Sequence, residues 1–128
     1  GQGGYRYVGP HAAPLAERVM RLSVERGGKR AFIPVSDIVY IEAKADYSSV
    51  ITAAGSYLVN ESISSLERRL APQGFMRVHR SFLVNLDDVH DVEVSRSGLM
   101  DLKVERVDAS VPVSRRRASE VKVRLGLA

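Results

Sequence analysis

The chain contains no cysteine. Disulfides, thiolate nucleophiles and cysteine-ligated zinc are therefore excluded, and the absence fits a reducing compartment without requiring one. No apolar run is long enough to span a bilayer, since the longest uncharged stretch, Tyr47 to Asn60, is interrupted by serines, Thr52 and Gly55. No basic region followed by an apolar one marks a signal peptide. Internal repeats, low-complexity tracts, heptads and an obvious apolar dimer seam are also missing. Tyr5, Tyr7, Tyr40, Tyr47 and Tyr57 do not fall on adjacent same-face positions, which argues against a stacking platform for single strands. Tyr40 is expected to pack.

What is present suffices for one domain: 128 residues, 45% of them hydrophobic. Residues 1–17, with Pro10 and Pro14 among small residues, read as a linker or a segment left from cloning, with a short helical approach at Ala16-Glu17. Gly1-Gln2-Gly3-Gly4 suggests that the chain is a fragment of something longer. The domain is expected at 18–128. There the pattern turns to short strands: Val19–Arg26 and Lys29–Pro34 as a hairpin about Gly27-Gly28, then Ile38–Ala43, with Val39 and Ile41 on one face. Tyr47–Thr52 and Ser56–Val59 form another pair, and Met76–His79, Phe82–Asn85, Val89–Val94, Leu99–Val104 and Ala109–Val113 follow. One internal helix is expected, capped by Ser62, striped by Ile63, Leu66 and Leu70, and ended by Pro72 and Gly74. The fold class is mainly β, with many short antiparallel strands, one short internal helix and a C-terminal helix.

That last helix breaks a rule. Ser114 is a plausible N-cap, Ala118, Val121 and Leu125 recur at helical spacing, and Gly126 is the stop. Arg115, Arg116 and Arg117 would then fill the first turn, where each exposed positive charge costs roughly 0.3–1 kcal/mol against the macrodipole. The internal helix obeys the same rule, with Glu61 at its start and Arg68-Arg69 at its end. From Arg115 onward, Arg115, Arg116, Arg117, Lys122 and Arg124 face Glu120 alone, a net +4 that equals the charge of the whole chain. An unfavourable first turn is compensated if a polyanion binds there. A solvated basic helix is the plainer alternative.

The most specific local signal is Phe75-Met76-Arg77-Val78-His79-Arg80-Ser81-Phe82-Leu83-Val84-Asn85. Alternation puts Arg77 and His79 on one face of a strand. Arg80-Ser81 breaks the pattern, so a corner there would project the Arg80 guanidinium from a rigid support, suited to a base edge or a phosphate.

This segment, with Ile38-Val39-Tyr40-Ile41-Glu42-Ala43 and the closing Val111-Pro112-Val113-Ser114-Arg115-Arg116, resembles the LytTR family of bacterial DNA-binding domains over roughly Val19 to Leu125. Three family patterns occur in order: an "I-x-Y-I-E-A" strand, an "F-x-R-V-H-R-S-F-L-V-N" core and a terminal "I-P-V-S-R-R" before a helix, the last with Val111 at its first position. The resemblance implies an elongated β fold whose loops and strand edges enter the major groove. It implies base contacts at Ser48, Arg80 and Arg115, and backbone or supporting contacts at Lys44, Tyr47, Ser49, Arg77, His79, Arg116, Arg117 and Lys122. Ser48 and Ser49 stand where the family often carries a long or basic side chain, so Lys44 is the alternative contact of that loop. His79 either shapes the corner or touches phosphate, with the first favoured. The resemblance further implies paired sites on double-stranded DNA, a dimer on DNA, and an upstream receiver, sensor or membrane domain. A cytoplasmic location follows, anchored if the upstream part lies in a membrane.

Two rivals remain. His79 or His90 with Asp87, Asp88 and Asp91 could make a metal or acid–base site, with His11 in the linker as the third histidine; no recognised ligand spacing is present. Neither catalysis nor a cofactor is expected. Alternatively, a β-rich module could offer its basic C-terminal helix to an acidic protein.

Overall fold

A computed structural model describes residues 18–128. The linker, the helical approach at Ala16-Glu17, Tyr5, Tyr7 and His11 lie outside the described residues. Ten strands follow in chain order: β1 (Arg21–Arg26), β2 (Lys29–Pro34), β3 (Ile38–Ala43), β4 (Ser48–Thr52), β5 (Gly55–Val59), β6 (Phe75–His79), β7 (Phe82–Asn85), β8 (Val89–Val94), β9 (Met100–Val104) and β10 (Ala109–Val113). Helix α1 (Ile63–Leu70) separates β5 from β6, and α2 (Ala118–Arg124) ends the fold. The strands form two antiparallel sheets, one of seven in the order β2-β1-β5-β4-β3-β7-β6 and one of three in the order β10-β9-β8.

Local chemistry explains the elements that the sequence announces. Gly27 and Gly28 both hold positive φ, 59° and 78°, the geometry of a two-residue hairpin turn that β-carbons resist. In α1 the Ser62 side chain accepts from the Ser65 N–H at 3.1 Å, and Ile63, Leu66 and Leu70 are buried. Ser62→Ala should therefore cost about 1 kcal/mol of stability, readable as a lower midpoint in urea denaturation. In α2 the stop is a Schellman arrangement about Gly126. The Leu127 N–H donates to the Lys122 carbonyl at 2.7 Å, and that of Gly126 donates to Val123 at 3.1 Å.

Two cores lie on opposite faces of the large sheet. In the first, Ile63, Leu66 and Leu70 pack with Leu22, Val24, Ile41, Val50 and Leu83. In the second, Val39, Met76, Val78 and Val84 meet Met100, Leu102, Val104, Val111 and Val113 of the small sheet, with Val121 of α2. Strands β3, β6 and β7 are thus covered on both sides, so their sequences carry apolar residues on both faces.

Bulges correct two expectations of facing. The register between β3 and β4 slips between Ile38 and Tyr40, so Val39 turns to the second core while Ile41 stays in the first. Between β6 and β7 it slips between Arg77 and His79. Arg77 pairs with Leu83 of the first core and His79 with Phe82, which packs on the second, so the two polar side chains leave by opposite faces. An inserted residue shifts a period-two pattern by one, and alternation alone cannot reveal it.

Arg106 clamps the segment that leads into β3. It holds positive φ (74°), donates to both Asp88 carboxylate oxygens at 3.0 and 2.7 Å, and reaches the Ser36 carbonyl at 3.0 Å. That hydrogen-bonded carboxylate holds its guanidinium pKa above the ordinary value. At the free edge of the small sheet, the Val92 N–H of β8 donates to the Asp91 carboxylate at 2.9 Å.

Candidate nucleic-acid interface

Four loops meet in a row, joined by hydrogen bonds that run from one to the next. The turn between β3 and β4 closes on itself, the Lys44 N–H donating to Tyr47 at 2.8 Å. Its neighbour, the Ala43 N–H, donates to the Ser81 carbonyl in the β6–β7 corner, also at 2.8 Å. The end of β6 is tied in turn to the start of the C-terminal segment, where the Ser114 N–H donates to the Val78 carbonyl at 2.9 Å. Arg117 reinforces that seam by donating to the Arg77 carbonyl at 3.1 Å. Finally, Arg115 donates to the Ser97 carbonyl at 3.3 Å, which brings in the β8–β9 turn. All three regions expected from sequence are therefore neighbours, and a fourth joins them.

The β6–β7 corner is built from inside. The Arg77 guanidinium donates to the His79 carbonyl at 3.0 Å and twice to the Arg80 carbonyl, while its remaining nitrogen, Nη1, reaches both Ser64 and Glu67 of α1. With its side chain only 12% exposed and its donors engaged, Arg77 braces the corner from inside. His79 is also internal: its Nδ1 accepts from the Ser81 N–H at 3.0 Å and its ring meets Phe82 edge-on at 5.5 Å. The shaping role expected of it fits this geometry. Arg80 itself is exposed, and its side chain has no partner among the described residues.

Around β3 the picture changes from the expectation. Ser48 is fully buried, and its hydroxyl donates to the Glu61 carbonyl at 2.7 Å, so it cannot face a base. Ser49 is half-buried on the adjacent position, and Tyr47 is 36% exposed at the loop. Lys44 is exposed, with only a surface ion pair to Glu42 at 3.4 Å, a contact worth about 0–1 kcal/mol that an anion can displace. Tyr40 packs as expected, its ring 6.1 Å from Phe82, and its phenol pKa is raised by burial and by Glu42.

The arginine triplet occupies a 3-10 turn, Arg115–Arg117, and not the first turn of α2. Helix α2 begins at Ala118, with Glu120 in its first turn and Lys122 and Arg124 in its last, as the dipole prefers. Ser114 has cap-like backbone angles but no side-chain cap bond. The short turn lets the three arginines spread around the end of β10 before the helix proper starts. Arg115 and Arg116 are exposed, Arg117 is half-buried, and Lys122 is exposed on α2.

Sequence reasoning missed Arg96. It is exposed in the Ser95–Gly98 turn against which Arg115 rests. A basic residue between two serines before a glycine was the available signal. Among the described residues, none of Arg80, Arg96, Arg115, Arg116 and Arg117 forms an ion pair, whereas Arg69, Arg77 and Arg106 each have a carboxylate partner. Of the residues in the metal or acid–base alternative, Asp88 bonds Arg106 through both carboxylate oxygens and His79 Nδ1 accepts from a backbone amide. Among the described residues, no helix is long and apolar enough to cross a membrane.

A β scaffold that gathers unpaired guanidinium groups from neighbouring loops is a polyanion-binding domain. The chain belongs to the LytTR family: residues 28–126 match the family model described as the LytTr DNA-binding domain. It is similar to the transcriptional regulatory protein YpdB of Escherichia coli K12, 35% identical over 89 residues, which cover 70% of this chain and 36% of that protein. It is also similar to the heme-containing CO-sensing transcriptional regulator RcoM 1 of Paraburkholderia xenovorans. That match is 31% identical over 119 residues, 91% of this chain and 43% of the relative. A solved LytTr DNA-binding domain from Bacillus cereus superposes with a TM-score of 0.77 at 25% identity, covering 84% of this chain and 98% of that one. The chain spans only 36% and 43% of the length of these two curated relatives. Family membership makes this a DNA-binding domain of a kind found in transcriptional regulators, a family that is not an enzyme class.

Proposed function

We propose that the chain reads duplex DNA with sequence preference, as the cytoplasmic output domain of a bacterial transcriptional regulator whose upstream part is a receiver, sensor or membrane domain. The row of exposed cations on neighbouring hydrogen-bonded loops, from Lys44 through Arg80 to Arg115 and Arg116, is the observation that carries this reading. Arg80 and Arg115 face bases in the major groove, each good bidentate arginine–guanine pair giving about 1–3 kcal/mol of discrimination. Lys44, Arg116, Arg117 and Lys122 grip phosphates, and Tyr47 and Ser49 line the sugar–phosphate side of the first loop. Arg77 and His79 set the shape of the corner. Two copies occupy paired sites.

Selection from random duplexes at moderate salt tests the proposal: one enriched motif is expected, and recovery of none overturns it. On that motif, Arg80→Ala should flatten the preference at one position. Arg116→Ala should weaken every sequence alike and reduce the salt slope by about 0.9. Identical behaviour of the two variants in a binding titration against matched and mismatched duplexes would refute the division of roles. An adaptor for acidic proteins would instead show no preference among duplexes.

A further inference from the structure

The β8–β9 turn is more highly built than a passive connection requires. The Ser95 N–H donates to the Leu99 carbonyl at 2.8 Å, and the Gly98 N–H donates back to the Ser95 carbonyl at 2.9 Å. The Ser95 hydroxyl accepts from the Leu99 N–H at 3.1 Å and lies 2.9 Å from the Ser97 hydroxyl. Gly98 holds φ at 87°, which closes the turn where a β-carbon would be strained. Arg96 occupies the second position of this four-residue turn, so its side chain leaves from the tip. It is exposed and forms no ion pair among the described residues.

The turn also touches the arginine triplet. Its Ser97 carbonyl accepts from Arg115, and an Nη of Arg115 lies 3.8 Å from where a β-carbon on Gly98 would sit. Arg96 and Arg115 are therefore cations on adjoining loops, with no carboxylate pairing either one. Of the acids on β8, Glu93 pairs with Lys103 at 3.7 Å and Asp91 accepts from Val92.

We propose that the β8–β9 turn is a fourth DNA-contacting loop, in which Arg96 grips a backbone phosphate flanking the base step that Arg115 faces. The inference rests on the proposed DNA reading and adds a loop that neither the sequence motifs nor the C-terminal basic segment contains. The occupant is duplex DNA because the loop continues the cationic row and offers one exposed guanidinium on a turn rigidified by its own serines, a donor suited to phosphate oxygens. Ser97 has a second task in this arrangement: its carbonyl holds Arg115 beside the tip, so the two cations approach the duplex together.

The test uses the 128-residue chain on its selected duplex, with Arg96→Ala, Arg96→Lys and the unaltered protein titrated at several salt concentrations and mapped by phosphate-ethylation interference. Arg96→Ala should lower the magnitude of the salt slope by about 0.9, shrinking the affinity loss between roughly 50 and 200 mM salt by about threefold. It should erase one interference position outside the base step assigned to Arg115 while leaving the preferred sequence unchanged. Arg96→Lys should restore the slope. If the unaltered protein shows salt-dependent duplex binding and Arg96→Ala keeps the full slope and interference pattern, this inference alone is overturned. If the unaltered protein shows no salt-dependent duplex binding, the DNA reading beneath it fails as well.

Discussion

Arg77→Ala is expected to lower stability by about 2–3 kcal/mol and to remove base preference at the position proposed for Arg80. The size follows from the number of groups abandoned. The guanidinium serves the carbonyls of His79 and Arg80 together with Ser64 and Glu67, from a side chain that is mostly covered. Hydrogen bonds to charged groups are worth about 1.5–3 kcal/mol, and partners left without them in a covered site add their own desolvation cost. Arg77→Lys should not rescue the corner, because an ammonium cannot span two carbonyls and a carboxylate as a planar fork does. Arg69→Ala, which breaks a more exposed pair with Glu61, is the control and should change stability by less than about 1 kcal/mol. Denaturant titration gives the stability, and a panel of duplexes with single changes gives the preference. Wild-type values for Arg77→Ala on both would show that the corner holds its shape without this brace.

The second large effect lies in packing. Leu102 is fully buried in the core between the two sheets. Leu102→Ala should cost about 2–5 kcal/mol, the transfer term plus the cavity left behind. Because that core seats β10 and Val121, hydrogen exchange should quicken first at Val111 and Val113, while amides of Leu22 and Val24 around α1 keep more of their protection. Uniform loss of protection across both groups would show that the two cores open as one unit.

What the sequence disclosed was local chemistry. The glycine pair of the first hairpin, the Ser62 cap and the stripe of α1 depend on neighbours within a few residues, and each was found where expected. The side chains misjudged were those whose partners are remote. Ser48 looked available for DNA because nothing nearby in sequence reveals that Glu61, thirteen residues on, offers a carbonyl in the interior. Arg77 looked like a surface cation because Glu67 precedes it by ten residues on a different element. The bulges at Val39 and Val78 answer to two cores at once, a demand that no periodicity in a single strand expresses. The arginine triplet taught a subtler point. Its expected local structure was wrong: a 3-10 turn and an α-helix have similar backbone angles, and the sequence does not separate them here. The cationic end survives as a candidate contact because its arginines lack ion-pair partners, no longer because the helix dipole is offended.

The bond between Asp91 and the Val92 amide bears on how copies of this domain tolerate one another. A free strand edge is a template: its unsatisfied amides invite the next chain to add a strand, and the next after that. On β8 one of those amides is already engaged, and Asp91 and Glu93 place acids along the same edge. Two copies brought close together would meet a hydrogen-bond donor that is taken and charges that repel. Crowding the domain should therefore grow no sheet from one molecule into another along β8.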